Sequence, residues 1–212
     1  KAYEFRSIVY RQLLDDSPEN IQNEADDIEK SLRLYNETGN VQKSIRLSLF
    51  HALALSKKGE RFEEAEKDCD YAINELTRLK HEADPDDSYI VKDIMHNIGD
   101  AYHTLGTVQD RNGKHNESAE SLRESVVQFT HSDSRGSKGI AYAELAHLYM
   151  RMNRKQDAGI SLLNFYAIKN QDPCPIQPSS IEEINPLVDE VEQYLGMGKS
   201  GFYFDISVGS NT

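Results

Sequence analysis

The stretch NIGDAYHTLGTVQDRNGKHNESAESLRESV, residues 97–126, holds two helix-length segments on either side of a turn. The stretches KKGERFEEAEKDCDYAI (57–73) and ELAHLYMRMNRKQDAGISLLNF (144–165) repeat this arrangement. In each stretch an alanine follows the turn: Ala65, Ala119 and Ala158. A small side chain at this position lets the two helices of a hairpin approach closely. The repeated pattern therefore predicts an all-α fold of stacked helical hairpins.

Apolar residues recur at helical spacing along most of the chain, and short turn signals separate the runs. Connections of two or three residues cannot return the chain to a parallel start, so we expect neighbouring helices to be antiparallel. The pattern predicts about nine helices, at residues 2–14, 18–38, 41–58, 61–82, 88–111, 115–130, 138–152, 155–169 and 181–195.

Several helix ends carry recognisable signals. Ser17 followed by Pro18 is typical of an N-cap and a first helical residue, and Gly39 and Gly59 are typical of C-terminal positions. Ser180 with Glu three residues later matches a capping box and predicts the start of the last helix.

No linker rich in Gly, Ser or Pro divides residues 1–196, so we expect a single helical domain there. Residues 197–212 differ in composition and are expected to form a flexible or extended C-terminal tail. The aromatic residues Phe202, Tyr203 and Phe204 are candidates for docking this tail on the array or on a second copy of the chain.

Composition limits the classes of partner. The chain of 212 residues has 36 acidic and 24 basic residues and a net charge of −12, which argues against direct nucleic-acid binding. No apolar run approaches the roughly 20 residues needed to cross a bilayer, so membrane insertion is not expected. Cys69 and Cys174 lie far apart and do not resemble a disulfide framework, which favours a reducing, intracellular compartment, cytoplasmic or nuclear.

Residues 40–170 resemble tetratricopeptide repeats. Residues 97–102 (NIGDAY) are similar to the first-helix segment of that family, and residues 145–149 (LAHLY) lie at the usual separation from Ala158. Asn153 stands where the family has its turn glycine. The resemblance implies a right-handed superhelical stack of antiparallel hairpins, an α-solenoid whose first helices line a concave groove.

The chain also departs from that family. The turn alanines lie 54 and 39 residues apart rather than 34, and the closing proline of the repeat is absent. The middle repeat has about seven extra residues, Thr107 to Gly113, so we expect irregular repeats with long helices.

A weaker resemblance links residues 44–49 and 65–76, followed by an acidic loop, to the last helices of 14-3-3 proteins. That family holds phosphopeptides with a basic cluster, and the inward helices here show no comparable cluster.

The polar residues of the first helices are the candidates for binding a partner in the concave groove. They are Arg46, His51, Asn97, Asp100, His103, Glu144, His147 and Arg151. Asn97 resembles the asparagine of tetratricopeptide clamps that hold a C-terminal carboxylate. Those clamps carry basic residues at two further positions, which Glu144 and Ile140 occupy here, so the resemblance does not favour a carboxylate clamp. A groove with Asp100 and Glu144 favours a basic or amide-rich peptide.

No motif in the chain predicts catalysis. His96, Asp100 and His103 share one helical face, which would allow a metal or an acid–base pair, but such a stripe is more typical of a partly solvated face. Residues 196–200 (GMGKS) lack the strand and helix that a phosphate loop needs. We therefore expect no catalytic residue, no metal and no cofactor.

Together these patterns predict a non-catalytic scaffold or adaptor that docks a peptide or helix of a partner protein and supports complex assembly. The alternative is a regulatory domain that senses a ligand or peptide and controls an effector region outside this chain. Self-association through the tail is a further hypothesis.

Overall fold

A computed structural model of the protein describes residues 17–197, together with Tyr3. These residues form an all-α stack of eight helices without any strand. The helices are α1 (Pro18–Glu37), α2 (Val41–Lys58), α3 (Phe62–Glu82), α4 (Ser88–Arg111), α5 (His115–His131), α6 (Arg135–Arg151), α7 (Lys155–Lys169) and α8 (Pro178–Leu195). Apart from Tyr3, the helix expected at residues 2–14 lies outside the described residues, and so do the tail residues Phe202, Tyr203 and Phe204.

Most helix ends agree with the sequence signals. The Ser17 side chain accepts a hydrogen bond from the Asn20 backbone N–H at the start of α1, and Gly59 ends α2 in the left-handed conformation, as predicted. The capping box of the last helix was wrong: α8 begins at Pro178, after Gln177. Proline is well suited to the first helical position because it has no N–H to leave unpaired, so the helix begins three residues earlier than expected.

Four hairpin connections share one loop geometry. Each has three residues, and the middle one has a positive φ of 57–76°. In each, the backbone N–H of the third loop residue also bonds to a carbonyl five residues earlier, which closes the preceding helix. The middle residue is glycine in two loops but Asp133 and Asn153 in the others, as Asp and Asn tolerate this conformation better than most residues. The middle residues are Gly39, Gly113, Asp133 and Asn153.

Close contacts between α4 and α5 show that these helices are antiparallel. A Cβ at Gly99 would lie 2.6 Å from the Phe129 ring, and one at Gly106 would lie 2.8 Å from Leu122. Residue numbers thus fall along α5 as they rise along α4. Consecutive helices pack on one another throughout the stack. The short connections make each consecutive pair antiparallel, as in α4 and α5.

The even-numbered helices lie side by side in the order α2, α4, α6, α8. Helix α2 contacts α4, and α6 contacts α8. Side chains near their C-terminal ends meet in each case: Arg111 donates a 2.7 Å bond to Ser56, Arg151 pairs with Asp110, and Tyr194 donates a 2.9 Å bond to Asn153 beyond α6. The four helices therefore run in one direction and form one face of the stack.

The turn alanines lie in the hydrophobic core. Ala65, Ala119 and Ala158 are each at most 1% exposed, which confirms that they meet a neighbouring helix. Large side chains such as Phe129 and Phe165 fill the space between helices further along the stack. Small and aromatic residues of the core together thus set how closely the helices approach.

Candidate functional site

A cavity of about 520 Å³ opens between α2, α3 and α4. Half of the side chains that line it are apolar, and these come from all three helices. The apolar lining consists of Ile45, Leu49, Phe50, Leu53, Leu76, Leu79 and Ile94. Leu49 and Leu53 lie one helical turn apart on α2, so the same apolar stripe serves both the core and this cavity.

Polar side chains stand among the apolar lining, most of them on α4. Asn97 donates a 2.8 Å hydrogen bond to the Asp93 carbonyl, one turn earlier, which fixes the orientation of its amide group. Across the cavity, the guanidinium of Arg46 lies 5.3 Å from the centroid of the Phe50 ring. Asp100 and His103 continue this polar row toward α6. The cavity thus combines apolar side chains from three helices with an equal number of polar side chains, and both kinds of group are needed in a ligand site.

A second cavity, of about 220 Å³, lies where the C-terminal half of α4 meets α5, α6 and α8. Its lining is strongly charged. Arg151 of α6 pairs with Asp110 of α4, and His147 Nε2 lies 3.0 Å from Glu190 Oε2 of α8. The lining carries Asp110, Arg111, Glu144, His147 and Arg151.

One contact joins the linings of the two cavities. His103 Nε2 on α4 lies 2.9 Å from Glu144 Oε2 on α6, and both side chains are 26% exposed. Desolvation lowers the pKa of His103, but the negative charges of Glu144 and Asp100 outweigh it and raise that pKa above its ordinary value of 6.5. The pair therefore favours a protonated histidine in contact with a carboxylate.

Asp100 has a related environment. Its side chain is 48% exposed and its Oδ2 lies 3.5 Å from His96 Nε2. Desolvation raises the pKa of the Asp100 carboxyl, against the opposing charges of His96 and His103. Within residues 17–197, the ion contacts of Asp100 and Glu144 are to histidines and to no lysine or arginine.

The structure brings most of the predicted groove residues together. Arg46, Asn97, Asp100 and His103 line the first cavity. Glu144, His147 and Arg151 line the second cavity.

His51 lies in neither lining. It is 3% exposed, and its Nδ1 lies 2.6 Å from Asp68 Oδ2 on α3, so it belongs to the contact between α2 and α3. The sequence analysis missed the acidic partner Asp110 and the apolar lining around Phe50, although the apolar spacing of α2 was visible in the sequence.

The His96, Asp100 and His103 side chains do not converge on one point. His96 Nδ1 lies 2.9 Å from Ser134 Oγ, whereas His103 contacts Glu144 on α6. Across the described residues, no three His, Cys, Asp or Glu side chains are grouped so that they would hold a metal ion. Among residues 17–197, this face therefore has two cavities but no preformed metal-ligand set.

None of the protein-family models that we compared with the chain matches it, and no curated protein matches it either. None of the helices α1 to α8 combines the length and apolar character needed to cross a membrane.

Proposed function

We propose that this protein is a non-catalytic scaffold of the tetratricopeptide type. In this proposal the stack is a right-handed superhelix, and the face formed by α2, α4, α6 and α8 is its concave groove. The groove docks a peptide or helix of a partner protein, basic or amide-rich in character, and thereby supports the assembly of a complex. The expected location inside the cell, in cytoplasm or nucleus, belongs to the same proposal and rests on the sparse cysteines.

The observation that carries the proposal is the 520 Å³ cavity on this face, with its apolar lining and polar residues on α4. Residues from three helices meet there, so the site depends on the stacking and not on one helix. A partner side chain placed in the cavity would bury apolar surface, at roughly 25 cal/mol per Å², while the amide and carboxylate groups around it orient the peptide.

A regulatory sensor is the second candidate. A volume of about 520 Å³ also falls in the range of small-molecule sites, roughly 300–1,000 Å³. In that case a ligand in the cavity would bias the packing of α2 against α4, and a region outside this chain would respond. Hydrogen exchange of α2 and α4, measured with and without a bound ligand, distinguishes this function from simple docking.

The proposal is tested by selecting binders from a displayed random-peptide library on the purified full chain. Leu53→Arg places a charged side chain in the cavity. Leu53 is half-buried and lines the cavity. Leu163→Arg is the matched control, because Leu163 is 42% exposed on α7 and lies in neither cavity lining. Circular dichroism establishes that both variants keep their helices.

We expect the selected peptides to bind the wild-type chain and the Leu163→Arg variant equally, and to lose at least about tenfold in affinity for Leu53→Arg, because a guanidinium in an apolar lining must be desolvated. Peptides that bind all three proteins alike would show that the cavity is not the docking site. A selection that yields no binder would count against a peptide-docking scaffold.

A further inference from the structure

We infer that the docked peptide carries an apolar side chain in the cavity between α2, α3 and α4, and a lysine or arginine that binds between Asp100 and Glu144 in place of protonated His103. This inference rests on the proposed function and adds to it the chemical class of the peptide and a control by pH. His103 then acts as an internal counter-ion that the peptide displaces.

The first step of the argument is the arrangement along the face. The apolar lining ends where α4 presents Asp100 and His103, and Glu144 of α6 follows at 2.9 Å from His103. A peptide that fills the apolar lining and continues toward α6 meets these carboxylates next. An apolar residue followed by a cation therefore matches the order of groups on the protein.

The second step is charge. In the part of the chain that the structure describes, Asp100 and Glu144 form ion pairs with histidines and with no lysine or arginine, and the protein has a net charge of −12. Two other acidic groups of the linings have their own partners: Asp110 pairs with the permanent cation of Arg151, and Asp93 accepts a 3.4 Å bond from the Asn97 amide. An ammonium or guanidinium group from outside would thus find its strongest complement between Asp100 and Glu144.

The third step is the competition by His103. The charged and titratable groups of the two linings come from three helices. They are Asp93, Asp100, Asp110 and Arg111 on α4, the helix of His103, with His96 beside Asp100, then Arg46 on α2, and Glu144, His147 and Arg151 on α6. Helices α3 and α5 contribute only leucines to the two cavity linings: Leu76, Leu79 and Leu122.

Two carboxylates on either side of His103 favour its protonated form, and this form repels an incoming cation. Deprotonation removes the repulsion and frees Glu144 for the ligand. Since the pKa of His103 is raised above 6.5, a proton at pH 6.0 competes with the peptide by a factor of about four or more, and it competes less at pH 8.0. Affinity should therefore increase with pH.

The experiment uses the peptide library and the full chain at pH 8.0. One selected peptide without histidine is synthesised in two forms, with its lysine and with norleucine, which has the same length but no charge. Both forms are titrated against the wild-type chain and Glu144→Gln at pH 8.0, as a double-mutant cycle. The lysine peptide is also titrated at pH 6.0 against the wild-type chain, His103→Gln and the control His81→Gln, whose histidine is exposed on α3.

We expect cavity-dependent binders to share an apolar residue and a Lys or Arg. The norleucine peptide and the Glu144→Gln variant should each weaken binding about tenfold. Combining them should weaken it no more than either change alone, because both remove the same ion pair. Binding to the wild-type chain and His81→Gln should weaken at least about fourfold at pH 6.0, and His103→Gln should remove this dependence.

Two results would overturn the inference and leave the proposed function standing. One is a set of binders that depend on the cavity but lack a cation. The other is a cycle in which the affinity losses from norleucine and Glu144→Gln add independently. The same holds for a pH dependence that persists in His103→Gln. Failure of every binder to respond to Leu53→Arg would instead overturn the proposed function. Because the norleucine comparison uses the unaltered protein, a folding defect in a variant does not affect it.

Discussion

His103 and Glu144 are in contact across two helices, α4 and α6, that begin at Ser88 and Arg135 and are separated in the chain by the whole of α5. The 2.9 Å contact between Nε2 and Oε2 lies where the linings of the two cavities meet, so the state of this pair affects both. It is also one of the few links that tie α4 to α6, together with the pair of Arg151 and Asp110.

The His103–Glu144 pair should make stability depend on pH. Desolvation opposes protonation of His103, but Glu144 and Asp100 raise its pKa above 6.5, so the folded chain binds this proton more tightly than the unfolded chain. The stabilisation is fully present below about pH 6.5 and is lost as the pH rises through the raised pKa.

Urea unfolding of the wild-type chain and His103→Gln at pH 6.0 and pH 8.5 measures this effect. We expect the difference in the free energy of unfolding between the two proteins to be larger at pH 6.0. The exposed control His81→Gln should show an equal difference at both values of pH. A difference for His103→Gln that grows at pH 8.5 would contradict the assignment.

Gly106→Ala should destabilise the fold although alanine favours helices. The added Cβ would lie 2.8 Å from Leu122 Cγ and 3.3 Å from the Ser118 carbonyl oxygen, so α4 and α5 must move apart. Overpacking costs about 1–3 kcal/mol and helix propensity returns roughly 1 kcal/mol, which leaves a net loss of up to about 2 kcal/mol.

Gly159→Ala is the matched control for that substitution. On α7 the nearest atom to the new Cβ is Leu195 Cδ1 at 4.0 Å, so only the propensity gain of about 0.5–1 kcal/mol remains. Chemical denaturation should therefore give a lower free energy of unfolding than wild type for Gly106→Ala and a higher one for Gly159→Ala. Stabilisation of both would show that α4 and α5 are not as closely packed as described.

Asp68→Ala should destabilise the fold and leave peptide binding unchanged. The substitution leaves the buried His51 side chain without the carboxylate 2.6 Å away, at a cost of about 1–3 kcal/mol. Asp70→Ala, two residues later at an exposed position on α3, should change stability by no more than about 0.5 kcal/mol. An affinity loss in Asp68→Ala with normal stability would place His51 back in the binding site.

The two cysteines should react with a thiol reagent at very different rates. Cys69 is buried, and desolvation raises the pKa of its thiol far above the ordinary value, whereas Cys174 is exposed. We expect one rapidly reacting thiol per native chain and a second only after unfolding in urea. Cys174→Ser should remove the rapid phase, and two rapid phases in the native wild-type chain would contradict the burial of Cys69.

Local features of the chain made many helix ends predictable. Ser17, Pro18 and Gly59 act through bonds and dihedral angles within one turn, so their effect is readable without the fold. The start of α8 was not predictable in this way, because Pro178 and Ser180 are two competing local signals and the sequence alone does not rank them.

The candidate site was predictable only in part, since helical position does not decide which face meets which neighbour. His51 and Arg46 lie on the same helix, yet His51 meets Asp68 of α3 in the core while Arg46 lines the first cavity. Leu53 has the spacing of a core residue but lines that cavity. Such differences depend on partners 17 or more residues away.

By itself, the sequence determined that this protein is a stack of antiparallel helices, because apolar periodicity, caps and short turns act over a few residues. The tertiary structure alone decided which side chains meet across helices: His51 with Asp68, His103 with Glu144, and the apolar cavity between α2, α3 and α4. Those contacts depend on the rotation and spacing of packed helices, which small residues such as Gly106 and bulky ones such as Phe129 set jointly.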